Sequence, residues 1–104
     1  MAIAEISIVP VGTGTTSVSA YVAGAITILK ESGLNYTLTP MGTVVEGELE
    51  AVMAVCTRMH ASAFANGSQR VYTTIKIDDR RDGDEVPRMA DKVASVERKL
   101  KNQP

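Results

Sequence analysis

The sequence predicts an α+β domain in which two long helices cover one face of a four-stranded antiparallel sheet. Short segments that alternate apolar and polar residues indicate strands, and longer segments with apolar residues at helical spacing indicate helices. These segments follow one another as β-α-β-β-α-β-α. The 104 residues fit one domain, 1–104, and 44% hydrophobic with 22% charged residues is typical of a globular chain.

The first strand and helix are predicted from residues 3–11 and 17–32. On the strand, one face holds Ala4, Ile6 and Ile8, and the other holds Glu5, Ser7 and Val9. Either Thr16 or Ser17 can cap the helix by accepting hydrogen bonds from its free N–H groups. Gly33 is the expected C-terminal stop. The apolar stripe of this helix, at helical spacing, comprises Val18, Val22, Ala25, Ile26 and Leu29.

The middle of the chain predicts two further strands and a second helix. The strands are expected at 34–40 and 43–46, joined by a turn at 40–42. The helix is expected at about 48–66. Its buried side comprises Leu49, Val52, Met53, Cys56, Met59 and Ala63.

A fourth strand at 69–78 and a last helix at 86–101 complete the order. The helix carries an apolar stripe of Val86, Met89, Val93, Val96 and Leu100. The first six elements form the split βαβ unit of the ferredoxin-like fold, and the last helix is an addition to it. The second sheet face is expected to be open and available to a partner subunit and a small ligand. Its candidates are Glu5, Ser7, Thr37, Thr39, Thr74 and Lys76.

Composition argues against several classes of protein. A net charge of −1 provides no basic excess for a nucleic-acid backbone, so no nucleic-acid partner is expected. A single cysteine, Cys56, forms no intrachain disulfide and fits a reducing cytoplasm. Glu5 interrupts any signal-peptide core, and no apolar run reaches membrane-spanning length. We therefore expect a cytoplasmic domain without a membrane partner.

Few residues suggest a catalytic, metal-binding or anion-binding role. The glycine- and hydroxyl-rich loop 12–17 precedes a helix and could hold an anion, but it lacks a phosphate-loop lysine, so a plain connecting loop is favoured. His60 is the only histidine and has no clustered second ligand, which favours a structural role over metal binding or acid–base work. Cys56 has no cationic neighbour in sequence and is expected in the core.

Charged groups in the last third of the chain leave two readings open. The set is Arg58, Arg80, Arg81 and Arg88 with Asp78, Asp79, Asp82 and Asp84. Because both signs are mixed, a solvated loop and a subunit interface are about equally supported, and a pure anion site is disfavoured. Glu46, at the end of a strand, is either a surface carboxylate or an acceptor for an amino group or cation.

Three segments together resemble a known family. They are Ile8–Thr13 with Ser17, Ser19, Tyr21 and Val22; Pro40–Gly47; and Arg70–Asp82. The combination resembles the small thiamine-binding proteins, single-domain relatives of the two-domain YkoF thiamine/hydroxymethylpyrimidine-binding protein. The resemblance covers nearly the whole chain. It implies a ferredoxin-like fold, assembly into dimers or tetramers, and binding of thiamine or its pyrimidine portion without chemistry on it or a cofactor.

The resemblance also indicates which residues could bind such a ligand. An aminopyrimidine needs hydrogen-bonding groups and an apolar surface, and the thiazolium is a cation. Hydroxyl groups would hydrogen-bond the ring, Met41 and Tyr72 would pack on it, and Glu46 would accept from the amino group or offset the cation. The predicted ligand-binding residues are Ser19, Thr37, Thr39, Met41, Thr43, Glu46 and Tyr72.

The sequence leaves two alternative functions open. In the first, the sheet face serves only a structural or regulatory assembly, as the charged segment 78–84 suggests. In the second, the least favoured, the chain is an enzyme for a phosphorylated metabolite that uses loop 12–17 with Arg80 and Arg81. No acid–base pair or nucleophile constellation supports the enzyme.

Overall fold

The computed structural model describes residues 1–14, 18–83 and 86–103. Its elements are, in chain order, β1 Ala2–Pro10, α1 Ser19–Ser32, β2 Asn35–Thr39, β3 Gly42–Gly47, α2 Leu49–Ala65, β4 Val71–Asp79 and α3 Met89–Lys101. This is the predicted element order, and most predicted ends lie within two residues of the observed ones. The proposed caps Thr16 and Ser17 lie outside the described residues. The last helix begins three residues later than predicted, at Met89.

The sheet confirms the predicted ferredoxin-like topology. Its strand order is β2-β3-β1-β4, and every neighbouring pair is antiparallel. In the register, Ile6 lies opposite Thr43 of β3 and Ile75 of β4, while Glu5 lies opposite Val44 and Lys76. Because side chains alternate along a strand, the first three share one face and the last three share the other.

Helices α1 and α2 cover the face that carries Ile6. The core between them and the sheet is fully buried at its centre, and it contains Ala4, Ile6, Ala25, Leu29, Val45, Val52, Val55, Cys56 and Met59. The helical stripes predicted from sequence supply most of these residues, with Val55 as an addition. Gly33 ends α1 with a φ of 74°, a left-handed conformation that glycine adopts without strain.

The opposite sheet face was expected to be open, and this expectation needs correction. The first turn of α3 is fastened to that face by Glu46 of β3, which hydrogen-bonds the backbone N–H groups of Arg88 and Met89. Lys92, one turn later, pairs with Asp78 of β4 at 2.6 Å. The added helix therefore partly covers the sheet face that a six-element fold would leave exposed.

The remainder of α3 is only loosely packed. No described residue of this helix is buried, and Val93, Val96 and Leu100 are each more than half exposed. The radius of gyration is 15.7 Å, whereas a compact chain of this length would give about 13 Å. The helix thus presents its predicted apolar stripe largely to the outside of the single chain.

Candidate ligand-binding cleft

A small cleft opens where β1 extends past the β2–β3 hairpin. Its volume is about 210 Å³, and its walls come from β1, from the first half of α1 and from the hairpin turn. We call it the α1 cleft, and its lining residues are Ile6, Ser7, Ile8, Val9, Val18, Tyr21, Val22, Ala25, Leu38, Thr39, Pro40, Met41, Gly42, Thr43 and Met59. These described residues are mostly apolar, and none of them is charged.

The hairpin turn that forms one wall is held by a single hydroxyl group. Thr39 Oγ1 donates to the carbonyl of Gly42 at 2.8 Å and accepts from the backbone N–H groups of Met41 and Gly42 at 3.2 Å. These bonds fold residues 40–41 back toward β2 and leave the Met41 side chain 81% exposed at the cleft. Thr39 therefore shapes the cleft wall.

The buried carboxylate Glu46 lies elsewhere, on the α3 side of the sheet. It is only 3% exposed, and both of its oxygens are engaged. Oε1 accepts from Asn35 Nδ2 at 2.6 Å, and Oε2 accepts from the N–H groups of Arg88 at 2.9 Å and Met89 at 3.0 Å. A carboxylate at a helix N-terminus also interacts favourably with the helix dipole.

These bonds decide the charge of Glu46. Burial alone would raise its pKa, but the hydrogen bonds from Asn35 and from the two backbone amides, with the Arg88 guanidinium nearby, hold the pKa below its ordinary value of 4.5. Glu46 is therefore ionised near neutral pH and acts as a fixed anchor for α3.

A second, wider depression lies between α3 and the sheet. We call it the α3 groove; its volume is about 710 Å³. The sheet contributes Ile3, Asn35, Thr37, Thr39, Val44 and Asp78, and the helix contributes Met89, Ala90, Lys92, Val93, Ala94 and Glu97. Unlike the α1 cleft, the groove carries charged groups of both signs. Hydrogen bonding to Lys92 holds the pKa of Asp78 below its ordinary value.

The seven residues predicted to bind ligand do not form one group. Thr39, Met41 and Thr43 line the α1 cleft, where Thr43 is buried. Thr37 lines the α3 groove, and Thr39 reaches it as well. Ser19 is exposed in the first turn of α1, and Tyr72 is 66% exposed on β4. Glu46 is occupied by its anchoring bonds.

The other candidate residues from the sequence make contacts that indicate structural roles. His60 Nδ1 lies 2.7 Å from Thr73 Oγ1, and the imidazole packs edge-on against Phe64. Cys56 is fully buried, and burial raises the pKa of its thiol. Arg80 and Arg81 pair with Asp82 and Asp79 on the surface. No cluster of three or more potential metal ligands occurs among residues 1–14, 18–83 and 86–103.

Sequence reasoning missed several cleft residues. Ile8 and Val9 were read only as strand residues, and Val22 and Ala25 only as part of the α1 stripe. Their common signal is position: all lie where β1 and α1 extend past the turn that closes the hairpin. That signal depends on the register of three strands, which the sequence does not show.

Comparison with known proteins places the chain. A family described as thiamine-binding protein matches residues 4–97. The chain belongs to this thiamine-binding protein family. A relative from Methanothermobacter thermautotrophicus, a UPF0045 protein, is 46% identical over 101 residues, covering 96% of this chain and all of the relative. The UPF0045 protein YqgV of Bacillus subtilis is 51% identical over 86 residues, covering 79% and 83% of the two chains.

Solved structures share the fold. A hypothetical protein from Methanocaldococcus jannaschii aligns with a TM-score of 0.79 and 34% identity, covering 92% of this chain and 95% of the other. A candidate thiamine biosynthesis/salvage protein from Thermotoga maritima aligns with a TM-score of 0.74, covering 91% and 97%. At 23% identity, that second likeness concerns the fold alone. Among the described helices, none combines the length and apolar character needed to cross a membrane.

Proposed function

We propose that this member of the thiamine-binding family binds thiamine through its pyrimidine portion in the α1 cleft, without chemical conversion. One observation carries the proposal: the cleft is small, apolar and uncharged, and it has hydroxyl groups on its walls. An aminopyrimidine is a flat, neutral ring with hydrogen-bonding edges, and such a ring suits an apolar site with a few polar groups.

The size of the cleft selects a part of the ligand. A cavity of about 150 Å³ is sufficient to hold benzene. The α1 cleft, at about 210 Å³, therefore has room for one substituted ring. In this proposal hydroxymethylpyrimidine fills the cleft, while the thiazolium of thiamine lies outside it.

The charge distribution supports the same orientation. Moving a cation into an apolar site costs free energy unless an anion accompanies it, and no carboxylate lines the described part of the cleft. The thiazolium remains hydrated outside, and the pyrimidine provides the main contacts. Within the cleft, Tyr21 and Thr43 can contribute hydroxyl groups, while Met41 can cover the ring at the mouth.

The same lining favours binding over catalysis. The described cleft residues include hydroxyl groups but no histidine, cysteine, lysine or carboxylate that could serve as a general base beside them. Hydroxyl groups are weak nucleophiles without such a partner. We therefore propose a non-enzymatic ligand-binding protein. Because its single cysteine, Cys56, is free and buried, we propose that it acts in the reducing cytoplasm.

Self-association is the second part of the proposal. The exposed stripe Val93, Val96 and Leu100 on α3 is the kind of apolar surface that a partner covers, and we propose a second copy of this chain as the partner. Small domains bury only part of their apolar surface alone, and oligomerisation supplements it. This stripe also favours the alternative function, an assembly module without a ligand.

Titration calorimetry separates these functions. The protein is titrated with thiamine, with hydroxymethylpyrimidine, and with the N-methylated hydroxyethyl-methylthiazolium cation as the matched fragment. We expect saturable heat with thiamine and hydroxymethylpyrimidine and none with the thiazolium. No heat with any of the three at millimolar concentration, from a chain that is folded and self-associated, would leave the assembly module as the better account.

A further inference from the structure

We propose that the backbone of Ile8 recognises the pyrimidine, with its N–H group as donor and its C=O group as acceptor. The inference rests on the proposed function and specifies which protein groups read the ligand. It follows from the hydrogen-bond register of β1: past the end of β3, Ile8 is the one described β1 residue with both an N–H and a C=O on the side that faces the α1 cleft.

The pairing of β1 with β4 fixes the direction of its backbone groups. At one end of the pair the N–H of Val11 donates to the carbonyl of Arg70 at 2.8 Å, and at the other end the N–H of Arg80 donates to the carbonyl of Met1 at 3.4 Å. In antiparallel strands the backbone groups of alternate residues point to alternate neighbours. Odd-numbered residues of β1 therefore bond to β4.

The backbone N–H and C=O groups of the even-numbered β1 residues consequently point to β3. Three of them lie opposite β3 residues, and these pairs are Ala2 with Gly47, Ala4 with Val45 and Ile6 with Thr43. The pairing with β3 ends at Ile6, whereas β1 continues beside β4 to Pro10. The next even residue is Ile8. Its N–H and C=O point past the end of β3 and into the region that the α1 cleft occupies.

The hairpin turn explains why Ile8 has no strand partner there. In a longer hairpin, Met41 would lie opposite Ile8 and exchange hydrogen bonds with it. Instead, the Met41 N–H donates to Thr39 Oγ1 at 3.2 Å. Among the described residues no strand continues beside Ile8 on this edge. The end of the turn therefore creates both the cleft and an unpaired donor–acceptor pair in its wall.

An aminopyrimidine complements such a pair. Its exocyclic amino group is a donor and the adjacent ring nitrogen is an acceptor, so the ring edge can bind one extended residue as a neighbouring strand would. Removing an unpaired backbone polar group from water costs free energy, and this pairing avoids that cost. A 4-oxo analogue reverses both roles: in the same orientation its oxygen acceptor faces the Ile8 carbonyl and its ring N–H faces the Ile8 N–H, and both contacts are repulsive.

The substitution Ile8→Pro tests the assignment. Proline lacks an N–H and is tolerated at strand edges, and the lost N–H makes no bond to β4. Ile8→Val is the matched control, since it shortens the same side chain and keeps the N–H. By calorimetry with hydroxymethylpyrimidine, we expect binding at least tenfold weaker for Ile8→Pro than for Ile8→Val; equal affinities of the two variants would contradict a role for the Ile8 N–H. We also expect the 4-oxo analogue to bind the parent at least tenfold more weakly than hydroxymethylpyrimidine.

Hydrogen exchange of the unmodified protein gives a test that does not depend on the variant folding. The Ile8 amide is expected to exchange quickly in the free protein, while the Ser7 and Val9 amides are protected. Saturating hydroxymethylpyrimidine should slow exchange at Ile8 at least tenfold. Suppose that hydroxymethylpyrimidine binds without protecting the Ile8 amide, and that the protein binds the 4-oxo analogue equally well. These results would overturn this inference and leave the proposed function standing.

Two further outcomes are distinct. If hydroxymethylpyrimidine does not bind at all, the proposed function fails and this inference fails with it. If the Ile8 amide is already protected in the free protein, and Ile8→Pro changes an oligomer into a monomer in sedimentation analysis, the edge pairs with a second copy. That result would overturn the inference even when ligand binds elsewhere.

Discussion

The α1 cleft and the α3 groove lie on opposite faces of one sheet and differ in nearly every property that matters for binding. The cleft has about 210 Å³ and no charge on its described lining, whereas the groove has about 710 Å³ and contains Asp78, Lys92 and Glu97. The cleft results from a mismatch in strand length. The groove results from a helix held at one end by a buried carboxylate.

The difference suggests a division of roles. Walls from β1, α1 and a hydroxyl-braced turn make the cleft a preformed site, which reduces the ordering cost of binding a small ring. The groove is bounded by α3, whose apolar stripe is exposed in the single chain. We therefore expect another subunit to complete this surface.

Removing the anchor of α3 should have the largest effect. Glu46→Ala leaves Asn35 and the N–H groups of Arg88 and Met89 without their acceptor, so we expect a loss of about 2–4 kcal/mol in unfolding free energy. Denaturant unfolding measures it. Glu46→Gln, which keeps one acceptor oxygen, should lose less. Equal stability of Glu46→Ala and the parent would show that α3 is not held by this residue.

Filling each site separately tests which one binds the ligand. Val22→Phe places a ring in the α1 cleft, and we expect at least tenfold weaker binding of hydroxymethylpyrimidine, or about 1.4 kcal/mol. Val93→Phe makes the same change in the α3 groove and should alter binding less than threefold. Calorimetry measures both. The reverse ranking would exchange the roles of the two sites.

The stripe on α3 should control assembly. Val96→Asn places a polar group at a position that is 57% exposed in the single chain, and we expect weaker self-association by about 0.5–1 kcal/mol per subunit contact. Arg98→Asn, on the same helix, is the matched control and should have little effect. Sedimentation equilibrium measures both variants. A parent protein that is monomeric at millimolar concentration would remove the assembly role.

Acid should loosen α3 gradually. The Glu46 carboxylate has a lowered pKa in the folded chain, so it stabilises the fold above its unfolded value near 4.5. That contribution is lost as the pH falls below 4.5 through the folded pKa. We expect the unfolding free energy of the parent to fall more steeply in this window than that of Glu46→Gln. Parallel curves for the two proteins would contradict a lowered pKa at Glu46.

Much of the fold follows from local patterns. Alternation along β1 assigns Ala4 and Ile6 to the core face and Glu5 to the other face, because side-chain direction in a strand has a period of two. Gly33 marks the end of α1 because its left-handed conformation favours glycine. The stripe on α3 was also predicted, but its docking was not. Periodicity shows that a face is apolar without showing what covers it.

The site was less predictable because it depends on distant parts of the chain. Thr43 and Met41 were selected with the family resemblance and line the cleft, but Glu46 was given a ligand role that its geometry does not support. Its partners Arg88 and Met89 lie more than 40 residues later in the chain. The role proposed for Ile8 depends on where β3 ends, and a backbone group leaves no signature in the side-chain sequence.

The most direct test of the account is an amide chemical-shift map of the ¹⁵N-labelled protein titrated with hydroxymethylpyrimidine. We expect the largest changes at Ile8, Val22, Met41 and Thr43 around the α1 cleft, and small changes at Val93 and Glu97 in the α3 groove. Saturable changes centred on Val93 and Glu97, with the cleft residues unmoved, would contradict the claim that the pyrimidine binds in the α1 cleft.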